Sequence, residues 1–343
     1  MRGIIFERAG EPKDVLALKD VPVPKPDVGE ALVKVTARPI QPADLAFVRG
    51  QYRLRPRLPQ VAGLEGAGVV VSPADGASQI PAPSTSQPLP PGTRVAFRVP
   101  ATWAEFVAVP ADRLIEIPSQ IPDDVACQMS LNPITAWALL DLARLVAGDT
   151  LILTAANSTV SRLVAAIARR RGVRVIGVVR SAAHAAIRSA ARNAVPEADA
   201  RAGADFALSA DDPDLAEHIK DHTGGKGAAA LLDSVGGPLV AKLLAALAAG
   251  ARIVAYGVQD PQPIPVTNAM LVYSNLTWIG FGIDRWLSGR TVEQRRAMLQ
   301  DLWALVADDT VRLPVASRHR LGDIAAALAA DAQPGRLGKV LLV

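Results

Sequence analysis

The segment Thr150–Ser181 (TLILTAANSTVSRLVAAIARRRGVRVIGVVRS) has the residue types and spacing of a strand, a tight turn, a helix and a second strand that together could hold a nucleotide. The apolar run Leu151–Leu153 suits a buried parallel strand, and Leu163, Val164, Ile167 and Ala168 recur at helical spacing until Gly172 stops the helix. Between them, Asn157, Ser158, Thr159, Val160 and Ser161 form a turn whose amides, with the helix N-terminus, suit a diphosphate. The G-x-G-x-x-G fingerprint is absent there. The second strand ends in Val178-Val179-Arg180-Ser181, with a cation where a carboxylate would hold a ribose 2′-hydroxyl. Arg180 and Ser181, with Arg188 further on, therefore suit a 2′-phosphate, pointing to NADPH rather than NADH. Taken alone, the segment reads equally well as a parallel βαβ unit that binds nothing.

Two kinds of element are needed to position such a turn. From Asp123 onward, apolar strands at Thr150–Thr154, Arg174–Val179, Asp205–Leu208, Ala229–Leu232, Arg252–Ala255 and Leu276–Phe281 alternate with helical patterns, which predicts an α/β fold with a doubly wound parallel sheet. Residues Met1–Pro118 instead show short alternating strands punctuated by Pro and Gly, such as Ala31–Ala37, Gly66–Val71 and Arg94–Val99, which predicts a β-rich domain. Inside it, Ser72–Gly92 is a Pro/Ser-rich insertion read as a surface hairpin loop. A helix at Val292–Ala307 and short strands at Val311–Ser317 and Lys339–Val343, around a helix at Leu321–Ala330, return to complete that domain. The expected division is residues 1–118 with 288–343, and residues 119–287.

At 343 residues, 50% hydrophobic and 20% charged, the chain is long enough for two domains that each bury a core. A net charge of +4 without a Lys/Arg block argues against nucleic acid and for a small anionic substrate, although ordinary surface chemistry accounts for the charge alone. One cysteine, Cys127, excludes an intramolecular disulfide framework and a cysteine-rich zinc site, and fits the cytoplasm. The stretch Met1–Gly10 has no apolar core long enough for a signal peptide, and no run approaches a membrane span. His184, His218, His222 and His319 fall in no metal-binding spacing, so no metal is expected.

Several ordered segments resemble the medium-chain dehydrogenase/reductase superfamily, above all its zinc-independent trans-2-enoyl-thioester reductases and, next, its quinone reductases. They are Gln51-Tyr52, Leu58-Pro59, Gly63-Leu64-Glu65-Gly66, Asn132-Pro133-Ile134-Thr135, Asn157-Ser158-Thr159-Val160, Val178-Val179-Arg180, Asp233-Ser234-Val235-Gly236-Gly237, Tyr256-Gly257, Gly280-Phe281 with Trp286, and Gly338-Lys339-Val340. The resemblance implies a GroES-like catalytic domain beside a Rossmann domain. Zinc-dependent members carry a Cys and a His-Glu pair where this chain reads Gln41-Pro42-Ala43-Asp44 and Gly63-Leu64-Glu65, so zinc is not expected.

The same resemblance implies roles. Tyr52 would donate a hydrogen bond to a thioester oxygen or relay a proton; packing of its ring on a loop is the bland alternative. Gln41 stands where relatives have an Asn near the nicotinamide or substrate. Asn132 and Thr135 would meet the nicotinamide end of NADPH, or simply cap a helix. Tyr256, Gly257, Phe281 and Lys339 would border the cofactor, and Trp286 the acyl pocket. Arg49 and Arg53, with Arg55 and Arg57, flank Tyr52 closely enough to guide coenzyme A phosphates or an acidic acyl-carrier protein, unless they form a solvated charged face. The expected function is NADPH-dependent reduction of enoyl thioesters. Quinone reduction is the rival within enzymes, and a non-catalytic NADPH-binding regulator the rival outside them. Pairing along Leu276–Phe281, an apolar edge strand, would give a homodimer.

Overall fold

The computed structural model describes residues 1–72, 89–181, 204–333 and 336–343. Most of the expected hairpin loop at Ser72–Gly92, together with His184 and Arg188, lies outside the described residues. The rest divides into two compact units, Met1–Leu131 with Thr291–Ala307 and Leu313–Val343, and Asn132–Arg290 with Asp308–Arg312.

The first unit carries a seven-stranded sheet and a three-stranded one. The expected strands at Ala31–Ala37 and Gly66–Val71 form as Glu30–Pro39 and Gly66–Ser72, paired antiparallel. Alternation along Glu30–Pro39 buries Ala31, Val33 and Val35 in one apolar cluster with Val70, Val95, Phe97, Val107 and Val109. The returning tail supplies Lys339–Leu342, which pairs antiparallel with the end of Glu30–Pro39 through Leu341 opposite Pro39 and Leu342 opposite Arg38. Arg38 lies buried at that seam, donating to the carbonyls of Thr102, Ala104 and Leu342. The boundary falls at Leu131 rather than at Pro118, because residues 119–131 are bonded into this unit. Asp123 accepts from Arg94 and from Thr36, and Gln128 Nε2 donates to the carbonyl of Leu313.

The second unit is built on six parallel strands in the order Phe206–Ser209, Arg174–Val179, Thr150–Leu153, Ala228–Asp233, Leu247–Ala255 and Thr277–Gly280. This is the doubly wound order, in which the chain reverses direction between the strands Thr150–Leu153 and Ala228–Asp233. Leu151, Ile152, Leu153, Leu231, Leu232, Ile253 and Val254 are buried, as continuous apolar runs in the middle of a parallel sheet require. The helix Thr159–Arg170 buries Leu163, Val164, Ile167 and Ala168, places Arg169 and Arg170 in its last turn, and is followed by Gly172 at φ 74°. No helix among the described residues is long and apolar enough to cross a membrane.

Candidate functional site

In the second unit the turn after Leu153 begins with Ala155 in the left-handed region, φ 44°, and the Ser158 amide donates to the Ala155 carbonyl at 2.8 Å. Ser158 is the N-cap of the helix Thr159–Arg170, and its hydroxyl accepts the Ser161 amide at 3.2 Å. Ser161 occupies a place where the fingerprint has glycine, yet it is fully buried. Its hydroxyl donates to the Thr154 carbonyl at 3.1 Å and lies 3.0 Å from Ser158 Oγ and 3.2 Å from the Tyr256 hydroxyl. Burial pushes the Tyr256 phenol above its ordinary range, so it stays protonated. Thr159 and Val160 are the first two helical residues, and their amides have no partner one turn back within the helix. The turn thus ends in a helix N-terminus, an arrangement that suits an anion, without the glycines.

A neighbouring turn is held by Asp233, to which the sequence reading gave no role. Its carboxylate accepts from Thr154 Oγ1 at 2.7 Å and from the amides of Val235 and Gly236, while the Ser234 amide donates to Thr154 Oγ1 at 2.9 Å. Tyr256-Gly257 comes close enough that a Cβ on Gly257 would lie 2.6 Å from the Ser234 carbonyl oxygen. Thr154, Asp233 and Tyr256, at the ends of adjacent parallel strands, are thus bonded into one carboxyl edge. The available signal was a polar residue closing each apolar run.

Arg180 is exposed at the end of its strand, with Ser181 beside it. Asn132 and Thr135 are buried in the first turn of the helix Asn132–Ala143. The Phe281 amide donates to the Ala255 carbonyl at 2.8 Å. Trp286 is largely spoken for: its Nε1 donates to Asp141, and Arg290, itself paired with Asp141, stacks 4.6 Å above its ring.

In the first unit, Gly63 at φ 89° makes the bend that delivers Glu65, since a Cβ there would lie 2.2 Å from the Trp103 ring. Glu65 is buried, its Oε1 accepting from Gln41 Nε2 at 2.6 Å and its Oε2 from the Ser130 hydroxyl at 2.9 Å. Gln41 caps the helix Pro42–Val48, its main-chain carbonyl accepting the Asp44 amide at 3.0 Å, while the Asp44 carboxylate accepts the Gln41 amide at 2.7 Å. The Gln41 Nε2 group is thus engaged by Glu65 within the first unit. Burial raises Glu65 to about 7 and Asp44 well above the ordinary carboxylate range, and it lowers the Lys339 ammonium, which is drawn back up by Glu65, Asp331 and Asp44.

These residues do not fit a catalytic zinc. Leu64 offers no donor, Gln41 Nε2 is bonded to Glu65, and no group of three or more His, Cys, Asp and Glu side chains among the described residues could hold a metal. Tyr52 is half-buried against the core, with the Arg53 guanidinium 5.5 Å from its ring centroid. Arg53, Arg55 and Arg57 are exposed. Arg49 forms a two-pronged pair with Glu11, both bonds at 3.0 Å.

Comparison with known proteins agrees with this architecture. The family model described as the alcohol dehydrogenase GroES-like domain matches residues 27–119, and that of the zinc-binding dehydrogenases matches residues 159–301. The mitochondrial enoyl-[acyl-carrier-protein] reductase of Xenopus tropicalis is 32% identical across 100% of this chain and 95% of its own length; the Homo sapiens protein of that name is 29% identical across 100% and 88%. Among solved structures, a mycobacterial quinone oxidoreductase has a TM-score of 0.85 at 27% identity, covering 100% of this chain and 99% of that one. A mycobacterial protein complexed with NADPH has a TM-score of 0.82 at 27% identity, covering 100% of both. With its zinc ligands replaced and its two characteristic folds in place, the chain belongs to the zinc-independent branch of the medium-chain dehydrogenase/reductase superfamily.

Proposed function

We propose that this chain is an NADPH-dependent oxidoreductase that reduces activated carbon–carbon double bonds, with trans-2-enoyl thioesters as its substrate class. The observation that carries the reading is its likeness, along its whole length, to named enoyl-[acyl-carrier-protein] reductases. NADPH, when bound, supplies hydride for the substrate β-carbon. In the second unit, the Thr159 and Val160 amides would hold the diphosphate, Arg180 and Ser181 the 2′-phosphate, and Asn132 and Thr135 the nicotinamide end. In the first unit, the Tyr52 phenol would donate to the thioester oxygen as negative charge develops there, or relay a proton to the α-carbon. Exposed Arg53, Arg55 and Arg57 would attract coenzyme A phosphates or an acidic acyl-carrier protein.

The likeness to a mycobacterial quinone oxidoreductase favours a second reading, in which a quinone takes the hydride and Tyr52 need not act. Following NADPH oxidation with a crotonyl thioester and with quinones side by side separates the two. Thioester turnover well above quinone turnover is the expected result, and tight NADPH binding with neither activity would favour a regulator. A reducing compartment suits the single buried Cys127, whether the cytoplasm or the mitochondrion named for the relatives.

A homodimer joined along Thr277–Gly280 completes the proposal. That strand is last in its sheet, and Val272 and Tyr273, on the short helix before it, are 70% and 87% exposed. Light scattering after size exclusion should report twice the chain mass, falling to the single mass on Tyr273→Asp with Val272→Asp.

A further inference from the structure

The hydroxyl group of Ser161 has one hydrogen and two lone pairs, and the structure accounts for all three. Its hydrogen goes to the Thr154 carbonyl at 3.1 Å, so it must accept from Ser158 Oγ at 3.0 Å and from the Tyr256 hydroxyl at 3.2 Å. This makes Tyr256 the donor across the 95 residues that separate it from Ser161. Ser158, in turn, accepts the Ser161 amide with the same oxygen whose hydrogen it sends to Ser161. The side chain that displaced a fingerprint glycine is therefore the junction of three segments: the end of the strand Thr150–Leu153, the cap of the helix Thr159–Arg170, and the turn after Ala255.

We propose that Ser161 is a positioning residue for the dinucleotide, its hydroxyl tying Tyr256 to Ser158 so that the diphosphate turn is held in its binding shape by hydrogen bonds instead of by glycine packing. This rests on the dinucleotide reading above and adds to it a claim about which bonds hold the turn. A glycine at 161 restores part of the fingerprint, and on a simple motif argument it should strengthen binding. Here it should weaken it, because Tyr256 and Ser158 each lose the Ser161 hydroxyl and the first turn of the helix gains a flexible residue.

The test is direct binding of NADPH and of NADH, by cofactor fluorescence and calorimetry, to the full chain and to its Ser161→Gly, Ser161→Ala, Tyr256→Phe and Ser161→Ala/Tyr256→Phe forms. Each single change should raise Kd about three- to tenfold for both dinucleotides, leaving their ratio unchanged because the diphosphate is common to them. The double variant should be no weaker than the weaker single one, since the two side chains share one bond. KM for the dinucleotide should follow Kd, while kcat moves less than KM. A general loss of folding would instead lower the melting temperature and scale the active fraction without moving Kd. Kd values unchanged or tightened in Ser161→Gly and Ser161→Ala, or effects that simply add in the double variant, would overturn the inference and leave the cofactor reading intact. A parent protein that binds neither dinucleotide would overturn both.

Discussion

Gln41 Nε2 sits 2.6 Å from Glu65 Oε1, so the residue that replaces a metal-binding cysteine of the zinc-dependent relatives is bound to a buried carboxylate. The amide supplies a hydrogen bond but no charge, and burial accordingly leaves Glu65 at about 7. Between about pH 4.5 and 7 the folded chain holds a proton at Glu65 that the unfolded chain has released. Stability from this group is therefore complete below that window and lost as pH rises through it. Glu65→Gln keeps an acceptor for Gln41 and removes the titration. The variant should gain on the parent by no more than about 3 kcal/mol from pH 4.5 to 8, measured as urea midpoints across that range. Midpoints that shift in parallel would show that Glu65 does not titrate there.

Tyr52→Phe removes a phenol that packs against the core by its ring, so the fold should survive. On enoyl thioesters, kcat should fall about a hundredfold while Kd for NADPH stays within a factor of two. Turnover equal to the parent would take Tyr52 out of the chemistry.

Arg180→Ala should raise KM for NADPH at least tenfold and leave KM for NADH nearly unchanged, because only NADPH presents a phosphate to that exposed guanidinium. An unchanged preference would move the 2′-phosphate elsewhere.

The arginines near Tyr52 should separate by partner. Arg49 is bound to Glu11, so Arg49→Ala should cost at most about 1 kcal/mol of stability with little effect on substrate KM. Arg53→Glu with Arg55→Glu should raise KM for coenzyme A thioesters at low salt and flatten its salt dependence. Equal effects from Arg49 would mean the Glu11 pair opens for substrate.

Ser158→Ala removes the cap of the helix Thr159–Arg170 and should lower stability by about 1 kcal/mol, with a corresponding shift in the denaturation midpoint.

The parallel sheet was legible because its strands are apolar on both faces; Arg174–Val179 forms over the expected residues. The fifth strand starts at Leu247 rather than Arg252, since Leu247 pairs with Ala228 ahead of a register shift in which Ala248, Ala249 and Gly250, which carry no alternating pattern, precede the pairing of Arg252 with Ala230. The strand, turn and helix of Thr150–Arg170 could be found from local spacing alone. The bonds that shape them could not: Thr154 meets Asp233 across 79 residues, Ser161 meets Tyr256 across 95, and Gln41 meets Glu65 only because the bend at Gly63 brings them together. The same holds for Arg49, whose ion-pair partner Glu11 lies 38 residues away.

The pairing of Leu341 with Pro39 also sets the order in which the chain can be assembled during synthesis. All six strands of the second unit lie between Thr150 and Gly280, so that sheet is available to close while the ribosome is still working. The seven-stranded sheet has to wait for residues some 300 positions downstream of its first partners, and the long-range closure makes it the slower of the two to complete. Until Lys339–Leu342 emerges, the Leu342 carbonyl that Arg38 will bind is missing and that stretch of Glu30–Pro39 is an open edge. A nascent chain thus exposes the end of the strand Glu30–Pro39 until its last strand is made.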